Sequence, residues 1–355
     1  MPTVLDVAFA IPGDLGSATG GYGYARKVLA LLPEFGIKPH HLALPDSFPA
    51  PTDDDLALTR HLLEQLHPST PVLFDGLAYG ALPPGFVAGL HSPVVALIHH
   101  PLAFESGLNA GRQELLKRCE REALRHAAAV IATSELTGRV LHTDYDVAAT
   151  KLTVAEPGTE PAIRSTGTGA PLTMLAVGAL IPRKGYAVLI EALSAIEEPA
   201  WQLTIAGALE HDPAETNRVR EAIMASGRRR RITIAGRVSD NQLARLYADA
   251  DLFVLPSLYE GYGMVLAEAL ARGLPIVSTT GGAAAETVPD DAALKVAPGD
   301  AMALRAALET ILGDSRRREA MATAAWEAGR ALPLWPASVE RIADVIKSVH
   351  KEHVA

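Results

Sequence analysis

Apolar residues occur in short dense runs, separated by longer stretches in which they recur every three or four positions. In the first half the dense runs fall at 4–11, 72–74, 94–98, 128–133 and 152–155. Near-continuous runs of this length are the pattern of strands covered on both faces. The stretches 21–32, 54–66, 112–126 and 135–142 carry an apolar stripe at helical spacing and predict helices between them. Such alternation implies βαβ units and a parallel sheet. Residues 160–171 break the pattern: they lack periodicity, are rich in Gly, Pro, Ser and Thr, and read as a flexible interdomain linker. The alternation then restarts, with strands at 172–177, 203–206, 232–235, 252–255, 276–278 and 294–296. Helices are expected near 186–195, 214–225, 241–248, 264–272, 301–312 and 315–331. After Pro333 and Pro336 a last helix, about 337–351, is too long for a fraying tail and is expected to return to the first domain. The expectation is an α/β protein of two doubly wound, Rossmann-like parallel-sheet domains facing each other across a cleft. They comprise residues 1–165, with the returning segment 337–355, and 166–336. Ligands of such sheets bind beyond the carboxyl ends of the strands.

Composition narrows the class. A chain of 355 residues with 48% hydrophobic and 21% charged residues is ordinary for a globular enzyme and long enough for two cores. Its net charge of −9 argues against nucleic acid as the main partner, because phosphate contacts need a basic surface. Cys119 is the sole cysteine, which points to a reducing compartment. The first residues run straight into the strand-like stretch 4–11, with Asp6 inside it and no basic region before it, so no signal peptide is expected. No apolar run approaches the roughly 20 residues of a membrane span, and a cytoplasmic location is expected.

The chemistry concentrates in 256–270, where a buried-strand pattern runs through a loop carrying Gly261 and Gly263 into a helix beginning at Met264. A helix start at a strand's carboxyl end offers amide groups and a positive dipole to a phosphate. Glu260 and Glu268 bracket it; were both helical they would stand roughly 12 Å apart. That separation suits two ends of one long ligand, with carboxylates accepting from pairs of sugar hydroxyls, although surface glutamates flanking a turn would be spaced alike. A second strand–loop–helix unit, 177–185, places Arg183 and Lys184 where they could neutralise a diphosphate and stabilise charge on a departing nucleotide. Gly20 and Gly21 follow the first strand, in a Gly-rich turn that is neither a dinucleotide fingerprint nor a triphosphate loop. His99 and His100 end the strand at 94–98; adjacent residues of extended chain point oppositely and cannot easily share a metal. His100 is taken as the partner of a reacting sugar. The Asp-x-Asp pairs at 144–146 and 249–251 read as turn acids, so no metal site is expected.

Jointly these residues resemble the retaining glycosyltransferases of family 4, the group 1 family, with the GT-B architecture. Most specific is the second domain, where Gly178 to Lys184-Gly185, Ala206-Gly207, Gly236-Arg237-Val238, Pro256-Ser257, Glu260-Gly261-Tyr262-Gly263, Glu268 and Gly281-Gly282 with Glu286 follow the family's order. The first domain matches more loosely through Gly20-Gly21, His100 and Glu156-Pro157-Gly158. The resemblance implies that the second domain binds a nucleotide-diphosphate sugar, a UDP-sugar before GDP-mannose, and the first an acceptor. On it, Arg183 and Lys184 bind the diphosphate, and Glu260 the sugar hydroxyls. Backbone groups of Gly261, Tyr262, Gly263, Met264 and Val265 hold sugar and phosphate; Glu268 takes the ribose, and Arg237 and Val238 lie against the base. Gly20 and Gly21 approach the diphosphate, and His100 lies by the sugar. The residue after Gly178 is Ala179, where the family often has a polar one, and it is assigned no role. Transfer with retention, the leaving phosphate taking the acceptor proton, needs no cofactor and no metal. Tyr22, Tyr24 and Phe104 are candidates to line the acceptor site. A nucleotide-sugar epimerase, a phosphorylase and a non-catalytic scaffold of the same fold are the alternatives; the acceptor, any peripheral membrane contact and the oligomeric state stay open.

Overall fold

A computed structural model describes residues 4–17, 19–105 and 107–354. The chain divides into two units, the first running to Gly158 and resuming at Trp335, the second Thr159–Leu334. In the first, strands β1 (Leu5–Pro12), β2 (Ile37–Leu44), β3 (Val72–Asp75), β4 (Val94–Ile98), β5 (Ala129–Ala132) and β6 (Leu152–Val154) form one parallel sheet in the order β2-β1-β3-β4-β5-β6. Its helices are α1 (Gly20–Leu31), α2 (Asp53–Glu64), the single turns α3 (Gly76–Tyr79) and α4 (Pro84–Val87), α5 (Ala110–His126) and α6 (Glu135–Asp144). Every residue of β3, β4 and β5 is buried, as their unbroken apolar sequences require. Sequence periodicity missed β2. It is an edge strand paired only to β1, so Lys38, His40 and His41 stay exposed and only its two ends, Ile37 and Leu44, are buried.

The second unit holds β7 (Leu172–Val177), β8 (Trp201–Ala206), β9 (Ile232–Gly236), β10 (Leu252–Leu255), β11 (Ile276–Thr279) and β12 (Ala293–Val296), again all parallel, in the order β12-β11-β10-β7-β8-β9. Its helices are α7 (Tyr186–Ser194), α8 (Pro213–Ala225), α9 (Asp240–Asp249), α10 (Met264–Leu270), α11 (Ala284–Thr287), α12 (Ala301–Gly313) and α13 (Ser315–Ala331). Helix starts follow local chemistry: Thr52 with Asp55 and Ser239 with Gln242 form capping boxes, each satisfying amides that a helix leaves unpaired. Helix α10 stops at Leu270, short of the expected 272, where Gly273 takes φ 65° and its amide returns to the Leu270 carbonyl at 2.8 Å.

These sheet orders locate the sites. Strand order reverses between β1 and β3 in the first unit and between β7 and β10 in the second, and the crevice outside the carboxyl ends at such a reversal is where open α/β sheets take ligands. The segment read as a flexible linker is instead fastened to the second unit. Ser165 donates its amide to Arg272 O and its hydroxyl to Ala248 O, both at 2.8 Å, and Asp251 accepts from the amides of Gly169 and Thr173. Thr159 donates to Pro333 O at 2.8 Å; the first unit ends at Gly158, seven residues before the expected 165, and the second at Leu334, two before the expected 336. The last helix, α14 (Trp335–Val354), belongs to the first unit. Trp335 stands edge-on to Tyr24, Arg341 donates to Val154 O, and His350 reaches Ser69 O.

Candidate active site

The loop after β7 packs against those after β8 and β10 because glycine stands where a side chain would collide. A Cβ on Gly207 would lie 1.9 Å from Gly178 O, and one on Gly185, whose φ is 66°, 2.2 Å from Pro256 O. The short 3-10 turn Pro182–Lys184 is thereby laid against the β10 loop, where Leu258 donates its amide to Arg183 O at 2.7 Å. Lys184 Nζ sits 2.7 Å from Glu260 Oε1, Ser257 donates its hydroxyl to the same oxygen at 2.5 Å, and Arg183 Nη1 stands 3.5 Å from Oε2. Arg183 also donates to Tyr259 O at 2.8 Å. The three charged side chains are 15%, 11% and 7% exposed. Burial alone would raise the Glu260 carboxyl, but the Lys184 and Arg183 charges and the bonds from Lys184 and Ser257 reverse this and hold it at about 2. Burial lowers the Lys184 ammonium and Arg183 adds to that effect, while Glu260 opposes it. Two cations thus share the Glu260 carboxylate at the switch point.

Glu260 is fixed at its backbone too: its amide donates to Gly281 O at 3.1 Å and its carbonyl accepts from Ala283 at 2.8 Å. Gly282 permits this approach, since a Cβ there would meet Glu260 O at 2.3 Å. Gly263 caps α10 in the left-handed conformation, φ 90°. Met264 and Val265 open that helix half-buried, whereas Gly261 and Tyr262 are buried beneath it. Glu268 lies apart from the cluster and accepts from Tyr247 Oη at 2.9 Å. Arg237 and Val238 follow β9, the Arg237 guanidinium paired with Glu210 of the β8 loop.

In the first unit Gly20 and Gly21 open α1, capped by Thr19. The histidine beside them is not His100. A Cβ on Gly21 would touch the His99 ring at 3.7 Å. His99 Nε2 lies 3.6 Å from Asp75 Oδ2 at the ends of β4 and β3, buried with no hydrogen-bond partner among the described residues. Its carbonyl is held by the Thr133 and Thr137 hydroxyls. His100 points elsewhere, with Nε2 2.7 Å from Glu105. Extended geometry put the two rings on opposite sides; it could not say which lay beside the glycines, and Asp75 ending the neighbouring strand was the overlooked signal. Tyr24 is no acceptor ligand either: it is fully buried and donates to Ala155 O at 3.0 Å. Tyr22 is half-buried and donates to Pro12 O; burial and the Asp75, Asp14 and Asp46 carboxylates raise its phenol. Phe104 remains exposed on the turn after His100.

Two family models match this chain: glycosyl transferases group 1 over residues 162–327, and glycosyltransferase family 4 over 28–162. The chain belongs to the group 1, family 4 glycosyltransferases. Among curated relatives, the MMP alpha-(1->4)-mannosyltransferase of Mycolicibacterium hassiacum is 27% identical over 72% of this chain and 68% of its own. Mannosylfructose-phosphate synthase of Agrobacterium fabrum is 34% identical over 43% of this chain, and the match spans only 38% of that protein's length. The fold agrees with sucrose-phosphate synthase from Thermosynechococcus elongatus, with a TM-score of 0.83 at 20% identity over 98% of this chain and all of that one. It agrees as well with HepE of Anabaena bound to UDP-glucose, TM-score 0.76 at 18% identity over 97% of this chain and all of that one. These are GT-B glycosyltransferases, and this GT-B chain is a hexosyltransferase. Among the described residues of the family member, no helix is long and apolar enough to cross a membrane.

Proposed function

We propose that the protein is a retaining hexosyltransferase whose second unit holds a nucleotide-diphosphate sugar. The observation that carries this reading is the Arg183–Lys184–Glu260 cluster, built on the loops that meet at the reversal between β7 and β10. Arg183 and Lys184 receive the diphosphate, drawing partly away from Glu260 as they do, and their charge stabilises the departing nucleotide. Glu260, held near 2, is a permanent acceptor for hexose hydroxyls and has no proton to donate. Two cations and the Ser257 hydroxyl also blunt it as a nucleophile, which favours an orienting role, with the leaving phosphate taking the acceptor proton. The amides of Met264 and Val265 extend the phosphate contacts, Glu268 takes the ribose, and Arg237 with Val238 borders the base. His99, with Asp75 behind it and Gly21 beside it, takes the place first given to His100. No metal or cofactor is assigned a role.

A mannosyl donor moves ahead of a UDP-hexose. The two curated relatives above carry mannosyl names, and a further one, the GDP-mannose:cellobiosyl-diphosphopolyprenol alpha-mannosyltransferase of Xanthomonas campestris, is 36% identical over 42% of this chain and 40% of its own. Thermal shift against a donor panel tests both statements. GDP-mannose at a hundred times its dissociation constant is expected to stabilise the protein by about 2.7 kcal/mol, with UDP-glucose shifting it less. No shift with any nucleoside diphosphate or its sugars removes the donor reading. Incubation with donor alone, followed by NMR, separates out an epimerase, and phosphate-dependent cleavage would identify a phosphorylase.

A further inference from the structure

Tyr247 of α9 is fully buried, its ring stacked on Phe253 of β10 with centroids 5.8 Å apart and planes at 16°. The Arg272 guanidinium lies 4.2 Å from the same ring centroid and donates to Glu268 O at 2.9 Å. Ring and cation therefore leave the phenol no freedom to wander. Its oxygen has two neighbours, Glu268 Oε2 at 2.9 Å and Val265 O at 3.4 Å. A phenol has one proton, and the charged acceptor at the shorter distance takes it. Among the described residues Glu268 Oε1 has no hydrogen-bond partner, and the side chain is only half-buried.

We propose that Tyr247 is a positioning residue for the donor ribose: its hydroxyl pins one oxygen of Glu268 so that the other is presented, already oriented, to the ribose diol. An unpinned carboxylate on two methylenes would have to be ordered by the ligand at the ligand's expense. Tyr247 touches no donor atom itself. The inference rests on the reading of Glu268 as the ribose ligand, so its test separates the two.

The probes are GDP and 2′,3′-dideoxy-GDP, or the uridine pair if the donor panel selects uridine, bound to the full chain and followed by calorimetry. Loss of a diol bonded to a carboxylate is expected to weaken binding to the wild type on the order of 10- to 100-fold. Glu268→Gln should bring that ratio close to one; if it keeps the wild-type ratio, the ribose reading fails. Tyr247→Phe removes a single oxygen and keeps the ring between its neighbours. It should shrink the ratio about tenfold by weakening GDP while dideoxy-GDP binds as before. A collapsed ratio in Glu268→Gln together with a wild-type ratio in Tyr247→Phe overturns the positioning role and leaves the ribose reading standing. A second readout is acid sensitivity. Burial raises the Glu268 carboxyl, Tyr247 and Arg272 hold it down, and Asp240 pushes it up. Without the phenol the acid limb of GDP binding should move to higher pH. Should Tyr247→Phe not fold, Glu268→Asp withdraws the carboxylate from the phenol instead, and an undiminished ratio in that variant overturns the proposal.

Discussion

Replacing Lys184 by Met keeps the volume of a buried stem and deletes its charge. At 2.7 Å and an effective dielectric constant of about 20, the Lys184–Glu260 attraction is about 6 kcal/mol. Arg183, 3.5 Å from the other oxygen, retains about 5 kcal/mol of attraction for the carboxylate, so Glu260 is left underpaired and not bare. The variant also recovers the desolvation cost of the ammonium. Removing one partner of a buried pair costs about 3–5 kcal/mol, and the remaining Arg183 places this case at the lower end, about 3 kcal/mol. For a unit spanning Thr159–Leu334 that lowers its melting temperature by about 6–12 °C. The double variant Lys184→Met/Glu260→Gln also removes the underpaired carboxylate and leaves Arg183 its bond to Tyr259 O, so it should recover part of the loss. Acid titration adds a signature. Glu260, held at about 2 against an ordinary value near 4.5, contributes stability that is complete above about pH 4.5 and disappears toward pH 2. In Lys184→Met the folded value rises toward the unfolded one, so that loss should be smaller and should finish at a higher pH. Urea melts of both variants from pH 3 to 7 measure all of this. Equal destabilisation in single and double variants, or a single variant within about 1 kcal/mol of wild type, would refute the reasoning. Substitutions here thus cost fold as well as turnover, and activity must be compared at equal folded fraction.

Three further outcomes follow from the geometry. His99→Ala should reduce turnover by about 100-fold, the scale of losing one preorganised donor, with His100→Ala costing less than tenfold; steady-state rates in the reverse order would return the role to His100. Glu120 of α5 is fully buried, accepts from the Leu102 amide at 3.0 Å, and is pushed up by that burial to about 8. A folded value above the unfolded one means stability is complete below about pH 4.5 and is lost as pH rises through 8; Glu120→Gln should flatten this slope in melts from pH 6 to 9, and an unchanged slope rejects it. Gly207→Ala should destabilise the second unit by on the order of 4 kcal/mol, since a backbone carbonyl 1.9 Å from the new methyl cannot yield as a side chain would; a soluble variant with a near-native melt would count against that packing.

Much of the fold was legible because both sheets are buried on two faces, so their strands advertise themselves as unbroken apolar runs. Strand β2 escaped for the opposite reason: an edge strand with Lys38, His40 and His41 in solvent has no such run. In the site, Arg183, Lys184 and Glu260 could be named from spacing, yet their mutual pairing could not, since it joins residues 76 positions apart. Ser257 and Tyr247 were invisible as ligand holders; a serine after a strand and a tyrosine on an amphipathic helix carry no mark of what they touch. The stretch 160–171 misled because Gly, Pro, Ser and Thr serve a loop that hydrogen-bonds to its neighbours as well as one that does not.

Helix α14 gives the first unit a component that the ribosome makes only after the whole of the second. The buried faces of Trp335, Val339, Ile342 and Ile346 exist only once residue 334 of the second unit has been passed. The C-terminal unit, contiguous in the chain, can therefore mature during translation while the earlier-made half waits with its packing surface uncovered. Nascent chains stalled before residue 335 should bind chaperones through the older half of the molecule, and a nonsense codon at 335 would leave the second unit whole and damage the first.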